Sequence, residues 1–124
     1  MAIFDNINGS LQKKYNALNR KFDYSTDEQV IGTWIDGKTL YRKVLHYNEL
    51  TVADTATRTI LTHNIGIGTV VNAHFWGSAT WVASYYSETS MDEFRVNANE
   101  IIMAWGSGTS AKFTNVNIIL EYTK

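Results

Sequence analysis

The chain has no cysteine, which excludes a disulfide framework and any thiolate metal site. A cysteine-free chain tolerates reducing and oxidising surroundings alike, so the compartment stays open. There is no excess of basic charge either. Eleven lysines and arginines face twelve acidic residues, for a formal net charge of −1, and the basic footprint of a nucleic-acid binder is missing. No apolar run approaches the roughly 18 residues of a membrane-spanning helix. Met1-Ala2-Ile3-Phe4-Asp5 lacks the basic start and apolar stretch of a secretion signal, so Sec-type export is not expected.

Catalytic patterns are scarce as well. There is no Gly-x-Ser-x-Gly elbow and no phosphate loop. Gly66-x-Gly68 follows a strand-like stretch, but no helical pattern succeeds it, which argues against a dinucleotide fingerprint. His46, His63 and His74 lie in strand-like stretches without metal-ligand spacing or a clustered carboxylate, so no metal and no cofactor are expected. Carboxylates such as Asp92 and Glu93 are dispersed, and the chain reads as a non-enzyme. Asn8-Gly9-Ser10 fits the glycosylation triplet, which is moot for an unexported chain.

What is present suits one folded domain. The 124 residues are 44% hydrophobic and 19% charged, enough to bury a core without staples. From Ser10 to Phe22 the pattern is helical, with Leu11, Tyr15, Leu18 and Phe22 spaced by four, three and four. Gly9-Ser10 offers a breaker and an N-cap hydroxyl. Lys13, Lys14, Arg20 and Lys21 take the solvated side. A helix of about a dozen residues is marginal alone in water, so its stripe must pack on something. Leu11, Tyr15, Leu18 and Phe22 fit the seam of a short heptad coil between copies, and equally a cap on the chain's own β domain.

After Asp23 the helical period ends, which divides the chain into a helical attachment segment over 1–23 and a β module over 24–124. Val30 to Ile35 and Lys38 to Tyr47 flank Asp36-Gly37, a two-residue hairpin signal in which both turn positions take positive φ. A polar loop is expected from Asn48 to Ala56, and a strand from Thr57 to His63. Thr69 to Trp76 alternates, with Val71, Ala73 and Phe75 on one face and Asn72, His74 and Trp76 on the other. Gly77-Ser78-Ala79 reads as a turn, and Thr80 to Tyr86 as its partner strand. Phe94 to Ala98 and Glu100 to Trp105 straddle a turn at Asn97 to Asn99, and Gly106-Ser107-Gly108 is a loop. In the closing strand, Phe113 to Tyr122, the residues Val116, Ile118, Leu120 and Tyr122 share one face. Short strands at this spacing predict an all-β fold, an antiparallel sandwich or jelly roll with a short N-terminal helix.

Aromatic residues make up 13% of the chain. Trp76 and Trp81 bracket the expected turn, and Tyr85 and Tyr86 follow. Flat rings near loops stack on the apolar face of a sugar, and neighbouring polar groups bond its hydroxyls. Trp76, Trp81, His74 and Tyr85 are therefore candidate ligand residues. Sandwich cores and subunit interfaces consume tryptophan equally well, so core, interface and ligand site all stay open. Trp34 and Trp105, inside mixed apolar runs, are the better core candidates.

The stretch Tyr24-Ser25-Thr26-Asp27-Glu28-Gln29-Val30-Ile31-Gly32-Thr33-Trp34-Ile35-Asp36-Gly37-Lys38-Thr39-Leu40-Tyr41-Arg42-Lys43 resembles a segment that recurs in tail-fibre, baseplate and head-fibre proteins of phages and prophages, chiefly of Gram-positive hosts. There it opens a C-terminal β module that often ends in a strand like Leu120-Glu121-Tyr122-Thr123-Lys124. The likeness is close over those twenty residues and looser from Tyr24 to Lys124. This chain has Thr39 where the family usually has proline, and His63-Asn64 where it has His-Gly. The resemblance implies a virion component assembled in the host cytoplasm, commonly a homotrimer, held among other virion proteins. Host-surface recognition of a cell-wall glycan is one expectation. A structural adaptor or capsid decoration without a ligand is the other. The Trp34-Ile35-Asp36-Gly37 hairpin can be scaffold alone, in which case recognition lies in later loops.

Overall fold

The computed structural model describes residues 9–14, 23–79, 82–86 and 91–124, with side chains assigned except at 79 and 82–86. The described residues are mostly strand and form two antiparallel sheets, an all-β fold. Residues 9–14 are helical. The helix already includes Gly9 and Ser10, ahead of the N-cap expected at Ser10. Leu11 is exposed there, whereas Tyr15, Leu18 and Phe22 lie outside the described residues.

The strands are β1 (Gln29–Thr33), β2 (Thr39–Val52), β3 (Thr59–Thr62), β4 (Thr69–Ala79), β5 (Val82–Tyr86), β6 (Glu93–Val96), β7 (Glu100–Ala104) and β8 (Ala111–Thr123). They form a five-stranded sheet in the order β1-β2-β8-β4-β5 and a three-stranded sheet in the order β3-β7-β6. The two longest strands, β2 and β8, lie side by side from Tyr41 opposite Tyr122 to Val52 opposite Ala111. That pairing and the one between β8 and β4 make β8 the middle of the larger sheet.

Alternation along β8 positions the core. Val116, Ile118, Leu120 and Tyr122 are all fully buried, as the sequence pattern predicts, and Phe113 joins them across a break in the alternation at Thr114 and Asn115, where Asn115 has positive φ. They belong to one cluster with Val52 of β2 and Phe75 of β4, which also takes in Ile101 and Met103 of β7. Both sheets therefore contribute to the same apolar cluster. Trp105 packs against it, with its ring edge-on to Phe113 at 5.4 Å. Trp34, expected in the core, is only half-buried beside the first hairpin and outside that cluster.

Three local expectations change. The Asp36-Gly37 hairpin forms, but through a three-residue loop in which only Gly37 has positive φ, at 85°. The Gly37 amide donates to the Trp34 carbonyl at 2.9 Å, and Trp34 N donates to Lys38 O at 2.8 Å. A type I turn followed by a left-handed residue needs just one glycine, placed last. Asp36 then turns its carboxylate on the Lys38 amide at 3.0 Å. Second, the region expected as a loop from Asn48 is strand through Val52. Asn48 and Glu49 are both exposed, after which Leu50 and Val52 return to the core. Two outward residues in succession break the alternation and hide the strand.

Third, Gly77-Ser78-Ala79 is not a turn but the end of β4. A Cβ at Gly77 would meet Val116 Cγ2 at 3.2 Å and Phe113 at 3.4 Å. The glycine marks a close approach of β4 to the core side chains of β8, at a register shift between Trp76 and Ser78.

The Asn97 turn is as expected. Its side-chain oxygen accepts from the amides of Asn99 and Glu100, which closes the β6–β7 hairpin.

The chain's C-terminal residues are tied to the segment before β1. The Tyr122 hydroxyl donates to Glu28 Oε2 at 2.5 Å, and Lys124 Nζ reaches Glu28 Oε1 at 2.9 Å. Burial alone would raise the Glu28 carboxyl. The bonds from Tyr122 and Lys124, with the charges of Lys124 and Lys43, together outweigh it and hold the group below its ordinary 4.5. The Tyr122 phenol is pushed well up by burial and by its bond to Glu28. A depressed carboxyl stabilises the fold above its unfolded pKa, and that stability is lost as pH falls through the folded value. The urea midpoint should therefore drop on acidification through the region below 4.5, and Glu28→Gln should remove part of that slope. An unchanged slope in Glu28→Gln would place the acid sensitivity elsewhere.

Candidate functional site

The face of the five-stranded sheet opposite the buried cluster carries the candidate site. Because side chains alternate and paired antiparallel residues share a face, register places the outer side chains of β2, β8 and β4 in transverse rows. Arg42, Glu121 and Asn72 form one row, then Val44, Ile119 and His74, then His46, Asn117 and Trp76. Trp76 follows the buried Phe75 in β4 and so points away from the core, with 47% of its surface exposed.

A groove of about 510 Å³ lies on this face, lined by Tyr24, Ser25, Thr26, Val44, His46, Trp76, Asn117 and Ile119. Its size falls within the range of small-molecule sites, roughly 300–1,000 Å³. Val44 and Ile119, directly opposite each other in register, give it an apolar strip. One wall is residues 24–26, which run alongside β2 beyond the end of β1. The Val44 amide donates to the Ser25 carbonyl at 2.9 Å.

Arg42 holds that wall in place. Its Nη2 donates to the Asp23 carbonyl at 2.7 Å, and its guanidinium contacts Gln29 Oε1 at 3.4 Å. The Tyr24 ring lies over the guanidinium at 4.1 Å. A buried guanidinium is tolerated where acceptors and an aromatic face replace its water, and Arg42 is 7% exposed. The Gln29 side-chain amide also donates to Asp23 O at 2.8 Å.

At the other end, His46 is fixed by two asparagines. Its Nδ1 lies 2.8 Å from Asn117 Oδ1 and its Nε2 lies 3.1 Å from Asn48 Oδ1. The imidazole is thus engaged on both nitrogens by amide oxygens, not by the hydroxyls of Ser25 or Thr26. Asn117 spends one side of its amide on His46. What the groove offers is an apolar strip, an exposed indole and a rim of hydrogen-bonding groups.

The residues predicted from sequence are distributed unevenly around it. Trp76 lines the groove. His74 shares its face one row away but is not among the lining residues. Tyr85 stands opposite Gly77, and Tyr86 opposite Trp76, in the β4–β5 register. The side chains of Tyr85 and Tyr86, and all of Trp81, lie outside the described residues. Sequence reasoning missed Tyr24, Val44, His46, Asn117 and Ile119. The available signal was the alternation of β2 and β8, which sets Val44 and His46, and Asn117 and Ile119, on the faces opposite their apolar neighbours.

The other histidine of note is structural. His63 Nδ1 accepts from the Ile65 amide at 3.1 Å beside the left-handed Asn64, and burial lowers its pKa. Among the described residues no three histidine or carboxylate side chains approach closely enough to share a metal ion. No family model, no curated protein and no solved structure matches this chain.

Proposed function

We propose that this chain is a module of a phage fibre, spike or tail that recognises a host-surface glycan as a homotrimer, its two sheets packed as a sandwich. The observation that carries this reading is Trp76, a large ring turned out of the core into a groove whose other groups are apolar or hydrogen-bonding. The likeness of Tyr24 to Lys43 to fibre and baseplate segments supports the virion setting. Tyr24, Ser25 and Thr26 of that stretch form a wall of the groove, so the shared segment supplies more than a hairpin.

A second reading, an adaptor or decoration protein without a ligand, draws on Ile35. This residue is 91% exposed at the tip of the β1–β2 hairpin, where an apolar side chain suits a protein contact.

Light scattering on the purified chain, followed by a glycan array probed with the multimer, separates the readings. The expected result is a trimer at micromolar concentration that binds a restricted set of host-wall glycans. A monomer would count against the assembly, and a trimer that binds no glycan would favour the adaptor. Deleting residues 1–22 should weaken the trimer while the β module keeps its cooperative unfolding, since the strand pairings described above do not involve them.

A further inference from the structure

The geometry points to the outer-face groove as a subsite for a neutral pyranose, stacked on Trp76 and bonded through Asn117, in preference to a uronic acid or an amino sugar. This deepens the glycan reading above and rests on it. None of the eight lining residues is an aspartate, glutamate, lysine or arginine, and the one imidazole, His46, has both ring nitrogens engaged by Asn117 Oδ1 and Asn48 Oδ1. An acidic sugar needs a cation at close range. The guanidinium on this face, Arg42, is already bonded to Asp23 O and Gln29 and lies under the Tyr24 ring. An amino sugar needs a carboxylate. Glu121, two rows from Asn117 on the same face, accepts from Asn72 at 3.1 Å and is not part of the lining.

A neutral pyranose fits each feature that remains. Its C–H face is apolar and matches the Trp76 indole and the strip of Val44 and Ile119. Its equatorial hydroxyls both donate and accept, which suits the Ser25 and Thr26 hydroxyls and the Asn117 amide. The 2.8 Å contact to His46 holds that amide in one orientation before a ligand arrives, which lowers the entropy lost on binding. The groove lies on strand-borne side chains and on a wall pinned by Arg42, so little rearrangement is required.

The test uses the full-length multimer. Methyl α-D-glucopyranoside, methyl α-D-galactopyranoside and methyl N-acetyl-β-D-glucosaminide are titrated at millimolar concentrations. D-galacturonate and D-glucosamine serve as charged comparisons. Indole fluorescence and side-chain amide NMR signals are read. At least one neutral glycoside should bind saturably, shift the Trp76 and Asn117 signals, and bind more tightly than either charged sugar. Trp76→Ala should weaken it by about tenfold or more and Asn117→Ala severalfold, with Trp76→Phe intermediate. Ile60→Ser, on the exposed side of β3, should change affinity by no more than about twofold.

Tighter binding of a charged sugar would overturn the inference, as would saturable binding that ignores both groove substitutions. Loss of the multimer in both Trp76 variants would assign the ring to a subunit interface and overturn it as well. If no monosaccharide binds but the array shows glycan binding, the groove assignment fails and the glycan reading survives. If the array is also blank, both fail.

Discussion

Ile118→Ala should lower the stability of the fold by about 2–5 kcal/mol, the usual cost of truncating a fully buried aliphatic side chain. Ile118 has no accessible surface and sits near the middle of β8, with Val116 and Leu120 equally buried on the same face. In register it stands opposite Leu45 on one side and Phe75 on the other. Because β8 is hydrogen-bonded along both edges, its backbone cannot move inward to close the space left by the lost atoms. The cavity term therefore adds to the lost transfer energy. Ile118→Val, which keeps the branch and removes one methyl group, should cost about 0.5–1.5 kcal/mol. Urea unfolding followed by tryptophan fluorescence measures both, with an unchanged slope showing that stability alone has moved. A cost below about 0.5 kcal/mol for Ile118→Ala, within the range of ordinary surface changes, would mean that the inner face of β8 has been misassigned.

That face was readable because β8 keeps strict alternation from Val116 to Tyr122, and a period of two has one physical interpretation in a half-buried strand. The first hairpin was readable for a similarly local reason, the Asp36-Gly37 pair. The loop type was not, since a two-residue and a three-residue connection can both use a glycine at that point and differ in whether Ile35 or Trp34 pairs with Lys38.

The sequence pattern ends β2 at Tyr47 because Asn48 and Glu49 present two polar residues in a row. The signal that extends it, Leu50 and Val52 paired with Phe113 and Ala111, comes from another strand some sixty residues on. Gly77 misled for the opposite reason. Glycine serves turns and close backbone approaches alike, and only the position of Val116 and Phe113 decides between them.

The groove was least legible of all. His46 and Asn117 are 71 residues apart in sequence, and nothing local to either announces the other. Trp76 could be picked out as a ring leaving the core, but its partners depend on which strands flank β8, a matter of topology that alternation does not encode. The wall formed by Tyr24 to Thr26 lay inside the segment whose sequence resembles fibre proteins. There the obvious hairpin drew attention to Trp34-Ile35-Asp36-Gly37 instead.

Phe75→Ala should be the most damaging single truncation, at about 3–5 kcal/mol, and it tests whether the two sheets depend on a common core. The Phe75 ring is fully buried. It meets Phe113 of its own sheet edge-on at 5.2 Å and Phe94 of the three-stranded sheet edge-on at 6.4 Å. Aromatic pairs in such geometry contribute about 0.5–1.5 kcal/mol beyond the area they bury. A double-mutant cycle combining Phe75→Leu with Phe94→Leu should therefore show a coupling energy in that range. A cycle that closes at zero would mean that the sheets are stabilised independently, and a cost of Phe75→Ala near 1 kcal/mol would say the same.

The neighbouring position gives the contrast that links stability to binding. Trp76 follows Phe75 in β4 but points to the other face, where nearly half of it is solvated, so its truncation should cost much less stability than that of Phe75. On one strand, then, adjacent substitutions should separate the two properties. Phe75→Ala should lower the unfolding midpoint steeply, and any loss of sugar binding should follow the fraction unfolded. Trp76→Ala should lose sugar binding at temperatures where the protein remains folded.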